Sequence, residues 1–274
     1  MEKLEHPLWI VHMVNALFGP LVAAALRPLG VTFAPGHDVI PDFIVMSLLI
    51  LIAVSVICLL LRSRLSVENP GRLQVMLEDA LSFIHGMVDD YIGPKGRNYV
   101  TLVGTMFVFI LLGNLMGLVP GLKSPTSNIN VTLGCALTVF VYYQFHGFKE
   151  QGVLGYLKHF LAPPGAPIWI APIYLPIEII SHMSRVLSLS VRLFGNIFGE
   201  DLVILILFSI VPFVVPLPMM FLGLITAALQ AYIFAMLTTI YLAGAVVVDH
   251  GPADHGGHGD EHAAGHGAAT VGAA

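Results

Sequence analysis

Between Ser188 and Asp201 the chain reads SLSVRLFGNIFGED, an arginine, an asparagine and two adjacent acids set inside a run that is apolar on both sides. The arginine is the costly member. Near the middle of a hydrocarbon layer it costs roughly 2.5–3.5 kcal/mol to insert, and a guanidinium cannot neutralise itself as a lysine can. It needs an acid partner, an anionic ligand or a water-filled cavity, and ionisable groups so placed mark ion paths or ligand sites by default. Glu200 and Asp201 can take up and release protons, while Asn196 and, further along, Gln230 offer neutral donors and acceptors.

A helix turns about 100° per residue, so Arg185, Ser188, Asn196 and Gly199 fall within roughly 40° of Arg192, and Glu178 about 40° away. Asp201 points about 180° from the arginine and Glu200 near 80°. The cation and Asp201 therefore look at different neighbours. Gly195 and Gly199 flank the arginine's face and leave room for a close, moving contact. On the next helix Gly223, Thr226, Phe234 and Tyr241 lie within about 40° of Gln230, with Thr238 near 80°. Two such faces side by side can enclose aqueous paths entering from opposite sides. A static ion pair of Arg192 with Glu178, Glu200 or Asp201 is the simpler alternative.

The elements holding these faces must sit in a membrane. Of 274 residues, 57% are hydrophobic and 11% charged, with a mean hydropathy of +0.86, whereas soluble domains carry about a quarter charged residues. The net charge of -5 implies no nucleic-acid partner. Cys58 and Cys135 both lie in apolar runs and read as two buried thiols.

Residues 1–40 include a helix, 7–26, expected to lie at the interface; Glu2 and Glu5 spoil a signal peptide's positive start. Residues 43–61 contain no charge and suit a crossing of a hydrocarbon core of roughly 30 Å. Arg62, Arg64 and Arg72 follow, which puts that end in the cytoplasm and the N-terminus outside. Over 72–91, Leu73, Met76, Leu77, Leu81 and Ile84 oppose Glu78, Asp79 and Asp89, the pattern of a helix on the cytoplasmic surface. Further crossings are expected at 98–119 and 129–145, with Lys149 and Lys158 on the return to the cytoplasm. The segments 168–211 and 217–248 exceed the ~20 residues of a perpendicular helix and must tilt or lie partly along the membrane. Pro212, Pro216 and Pro218 break the helix between them. The fold class is thus an all-α integral membrane protein with about five crossings and one surface helix. Residues 249–274 should form a disordered cytoplasmic tail. Its His250, His255, His258, His262 and His266 are irregularly spaced among glycines and make no designed metal cage. His12, His85, His146, His159 and His182 read as interfacial or loop histidines.

The segments LPIEIISHMSRVLSLSVRLFGNIFGEDL and LQAYIFAMLTTIYL resemble the two signature helices of subunit a of the F-type ATP synthase, and GNLMGLVPGLKSPTSNINVTLGCALTVF resembles two earlier helices of that family. The resemblance spans about residues 40 to 248. It implies a proton-translocating stator subunit whose last two long helices lie as a tilted hairpin against a ring of c subunits. Arg192 matches the arginine that faces the ring and separates two offset half-channels. Asn196 and Gln230 match its neighbours, Asp201 the outer half-channel acid, and Glu178, Arg185 and Ser188 positions on the cytoplasmic side. Where some relatives carry an ionisable residue, this chain has Gly223, so the outer path would use Asp201 and Glu200 with waters; which acid relays is open. The acid of the outer-loop motif is Asn128 here, beside Asn130 and Thr132. The implied setting is the bacterial inner membrane, and the implied partners are the c-ring, a b-subunit peripheral stalk, membrane lipid and, indirectly, the catalytic head. No cofactor, metal or catalytic site is expected in the chain itself.

The rival from another class is a secondary transporter whose Arg192 holds a substrate carboxylate, although the chain shows no internal repeat of the kind such folds carry. An intramembrane metalloenzyme would need ligand spacing, such as HExxH, that the spans lack.

Overall fold

Apolar runs bounded by proline, glycine and arginine set the helix ends. The structure, a computed structural model, describes residues 9–26, 39–62, 65–66, 70–119, 121–152, 171–210 and 216–246. Its helices are α1 (Trp9–Leu26), α2 (Asp42–Arg62), α3 (Arg72–Ile92), α4 (Val100–Gly117), α5 (Ile129–Gln151), α6 (Ala171–Ile210) and α7 (Pro216–Val246). Among the described residues there is no strand. α2 starts on Asp42 and ends on Arg62, each with the sign that its end of the helix dipole favours. α3 stops at Gly93, whose φ of 80° favours glycine. Asn128 caps α5 by accepting from the Asn130 amide at 3.0 Å.

Proline placement differs from expectation at one point. Pro216 and Pro218 do not only interrupt; they form the first turn of α7, where a missing N–H costs nothing. Pro212, Arg64, Lys158, His159 and the tail histidines lie outside the described residues.

Among the described residues four helices are long and apolar enough to cross a membrane: α2, α4, and most of α6 and α7. α5, expected as a further crossing, falls outside that set because Asn130, Tyr142, Tyr143, Gln144 and His146 dilute its apolar run. Thr132 and Tyr143 are buried, while Leu137, Val141 and Phe145 form an exposed apolar stripe at four-residue spacing. α6 has 40 residues, about 60 Å of helix at 1.5 Å each, twice the thickness of a hydrocarbon core. Such a helix must tilt steeply or run partly along the layer.

The core joins Ile110 of α4, Val139 and Tyr143 of α5, Leu189, Leu193 and Ile197 of α6, and Phe234 and Leu242 of α7. On α7, Ala227, Ala231 and Ala235 recur every four residues and are each at most 1% exposed. Small residues at that spacing let α3, α4, α5 and α6 approach its backbone, which is how helices gain packing where lipid supplies no hydrophobic drive.

Apolar context alone misplaces one thiol. Cys135 is buried, but Cys58 sits on an exposed face of α2, because a membrane helix is apolar on its outer side as well as its inner. In α3 the buried residues are Gln74, Ile84, Met87 and Val88, whereas Leu73, Met76, Leu77 and Leu81 are exposed. Gln74 is buried because its amide mimics a backbone strand, pairing with the Ser66 N–H at 3.1 Å and the Ser66 carbonyl at 3.0 Å.

Asn15 does the same for α1. It accepts from the Ile40 amide at 2.8 Å and donates to the Ile40 carbonyl at 3.0 Å, tethering α1 ahead of α2. Asn15→Ala removes both bonds, each worth about 1 kcal/mol net. Hydrogen–deuterium exchange should then speed up in α1 and around Ile40 and stay unchanged in α4; unchanged exchange in α1 would mean that packing of Val11, Val45 and Met46 suffices.

Candidate functional site

Leu189, Leu193 and Ile197 turn one stripe of α6 into the core, which leaves the flanking stripe, about 100° around the helix, open. Arg192, Ser188 and Asn196 stand exposed on it, beside a shallow apolar hollow lined by Ile180, Met183, Ser184, Leu187 and Val191. A side chain built at Gly195 or Gly199 would meet nothing within 4 Å, so this face is unoccupied by the chain's other described helices. Asn196 donates to the Gln230 side-chain oxygen at 2.9 Å, and Gln230 is only 2% exposed. One amide pair thus ties α6 to α7 next to the arginine. Among the described residues no ion pair joins Arg192 to an acid, so the static pairing with Glu178, Glu200 or Asp201 is not what this fold contains.

Toward the turn between α4 and α5 lie the adjacent acids. Asp201 faces Gly117, with the Ser127 hydroxyl and the Lys123 ammonium as polar neighbours. Lys123 also binds Asp42 at 2.8 Å, fastening the turn to the start of α2. Glu200 lies across α7 instead. A Cβ built on Gly223 would overlap the Glu200 carboxyl and approach Leu118 to 3.0 Å. The carboxylate occupies the volume that a side chain at position 223 would need, and glycine is what admits it.

Behind these acids runs a chain of buried neutral groups. Thr126 donates to the Asn114 side-chain oxygen at 2.6 Å, Ser124 and Thr126 share a hydrogen bond of 2.7 Å, and Thr132 and Ser190 share one of 3.1 Å. Asn114 reaches the Ala227 carbonyl at 3.4 Å. Among the described residues every buried side-chain nitrogen or oxygen has a partner, as a polar cluster in a dry bundle requires.

The other end of α6 carries a second cluster. Glu178 is within 3.3 Å of His182 Nε2, and His182 Nδ1 is 2.8 Å from the Tyr143 hydroxyl. Arg185 rests over the Tyr241 ring at 5.4 Å. His182 is buried between α6 and α5, at 7% exposed, and not at an interface or in a loop as its sequence context suggested. Of the other histidines, His12 is exposed and His85 and His146 are half-buried.

The residues singled out from sequence therefore fall into three stations on one helix: Glu178 with Arg185, then Ser188, Arg192 and Asn196 with Gln230, then Glu200 with Asp201. Tyr143, Asn114, Thr126 and Ser190 were not foreseen, because their partners lie on other helices. His182 had a local signal, its four-residue spacing from Glu178.

Residues 43–243 match the family model described as ATP synthase A chain. Similar proteins include the ATP synthase subunit a of Sulfurihydrogenibium sp. (strain YO3AOP1), 42% identical over 203 residues covering 74% of this chain and 96% of that one. Another is the ATP synthase subunit a 1 of Syntrophotalea carbinolica, 44% identical over 202 residues, 74% of this chain and 84% of the relative. The ATP synthase subunit a of Koribacter versatilis is 37% identical over 247 residues, 90% of this chain and 100% of its own length.

The contact of Glu200 with Gly223 makes a packing prediction. Gly223→Val should displace the Glu200 side chain and lower thermal stability, whereas Gly223→Val with Glu200→Ala should recover most of the loss. The expected coupling is about 0.5–3 kcal/mol; strictly additive losses in melting experiments on the solubilised protein would show that the two residues do not share this space.

Proposed function

The chain belongs to the ATP synthase A chain family, and from that membership we propose that it is the proton-conducting stator subunit of a rotary ATP synthase, forming two offset half-channels against a ring of c subunits. The reading also takes α5 as a fifth crossing, with the N-terminus periplasmic and the C-terminus cytoplasmic in a bacterial inner membrane. A b-subunit stalk and, through it, the catalytic head complete the assembly.

The observation that carries this reading is Arg192, exposed on an open face of α6 and, among the described residues, ion-paired with no acid, while Asp201 and Glu200 meet Gly117 and Gly223 and Glu178 engages His182. A carboxylate on a rotating partner must be protonated while it faces lipid, because a lone charge there is too costly. Opposite Arg192 the same carboxylate is stable as an anion. A proton arriving along Asp201 and Glu200, beside the hydroxyls of Ser127, Ser124 and Thr126, neutralises it, and the acid then turns into lipid. After nearly a full rotation it reaches the Glu178 side and gives up the proton. Arg192 blocks a direct leak, since a guanidinium never passes on its proton. Asn196 and Gln230 hold the two helices at the arginine, while Ser188 and Arg185 continue the polar face toward Glu178.

Each proton crossing about 100 mV releases roughly 2.3 kcal/mol, so rotation must pool several steps before one ATP is made. In membrane vesicles carrying the assembled complex, Arg192→Ala should abolish ATP-driven acidification while the subunit still assembles. Normal pumping by that variant would remove the role assigned to Arg192.

A further inference from the structure

The Glu178–His182–Tyr143 chain takes no part in the packing of small residues that holds the bundle together, and it is unusual in kind. Both ring nitrogens of a buried histidine are engaged by groups that themselves carry or accept protons, at 3.3 Å and 2.8 Å. Around α6, Glu178 lies about 40° and His182 about 80° from Arg192, both on the same side. The carboxylate therefore borders the open face, and the imidazole leads from it into the seam with α5. We propose that His182 is a proton carrier of the inner path, passing protons between Glu178 and Tyr143; this rests on the proton-channel reading above.

The chemistry balances without any co-reactant. In the resting arrangement the Tyr143 hydroxyl donates to Nδ1, and Nε2–H donates to the Glu178 carboxylate. An incoming proton on Nδ1 makes an imidazolium, held by the carboxylate, and the tyrosine oxygen turns from donor to acceptor. Transfer of the Nε2 proton to Glu178, which passes it on, leaves a neutral ring with its proton on the other nitrogen, and a turn of the imidazole that brings its N–H back toward Glu178 resets it. Only N–H and O–H bonds form and break.

The described groups that bear on this chain come from each packed helix. Tyr143 of α5 stacks on the histidine ring with centroids 5.8 Å apart, and Phe140 of α5 meets it edge-on at 6.4 Å. On α6 itself Tyr174 bonds Glu178, and Arg185 lies two turns beyond Glu178. From α7, Tyr241 stands 6.3 Å from Tyr143 and beneath the Arg185 guanidinium.

The test uses inverted membrane vesicles with the whole synthase, so that the bath is the inner-side solution, and follows ATP-driven acidification against bath pH. His182→Gln keeps size and hydrogen bonding but holds no extra proton, leaving Glu178 as sole acceptor. A carboxylate is a weaker base than an imidazole, so pumping should slow several-fold and its alkaline limb should move to lower pH. Tyr143→Phe removes the donor that favours the neutral ring, so its limb should move to higher pH. Wild-type rate and profile in His182→Gln overturn the proposal, and so does a slower rate with an unmoved limb, which is the mark of a structural residue. If His182→Gln fails to assemble, Tyr143→Phe decides: a limb shifted upward supports the carrier, an unshifted one overturns it. Loss of pumping in Arg192→Ala alongside either overturning result would leave the channel reading intact and remove only this one.

Discussion

A guanidinium that stays charged inside an apolar layer, and finds no acid on its own helix, governs the rest of this molecule. Along α6 Arg192 stands nine residues from Asp201 and fourteen from Glu178, about 14 Å and about 21 Å at 1.5 Å per residue. At an effective dielectric near 20 a unit charge about 14 Å away contributes only about 1 kcal/mol, whereas one about 4 Å away contributes about 4 kcal/mol. The chain's own acids are therefore too far to settle the arginine. What can is a carboxylate brought up to the open face from outside, and an open face is what Gly195, Gly199 and the shallow hollow along Ile180 to Val191 leave.

Satisfying everything else internally is what allows one charge to stay unsatisfied. The Asn196–Gln230 pair closes the seam beside the arginine, and the network through Asn114, Thr126 and Ser124 closes the loop end. Alanines on α7 bring the helix backbones close enough for those short side chains to meet. Glycine at 223 has a different use: it cedes volume to a carboxylate from the facing helix, so an ionisable group stands between α6 and α7 without either backbone moving apart.

Much of this was legible because helix periodicity is rigid. From spacing alone, Arg192, Ser188 and Asn196 share a face and Asp201 opposes it, and in the structure the first three are exposed while Asp201 meets the loop at Gly117. Helix order and approximate limits also followed from apolar run lengths, as with 43–61 against Asp42–Arg62. What periodicity cannot tell is which apolar face meets lipid and which meets protein, since both are apolar in a membrane. Cys58 was misassigned for that reason. Nor does a single helix reveal its partner: His182 became intelligible only once α5 brought the Tyr143 hydroxyl to it.

The three polar stations differ in kind, and the difference matches what the proposed proton path would ask of each. At the arginine the neighbours are amides, which hold geometry but carry no proton under physiological conditions. At the loop end acids are backed by hydroxyls and amides, groups able to order a file of water without competing for its charge. At the α5 end the backing is imidazole and phenol, groups that can themselves exchange protons. Spacings of about 14 Å and about 21 Å along the helix are too long for a direct proton hop. Each end needs intermediates, and the longer gap is the one furnished with a buried histidine.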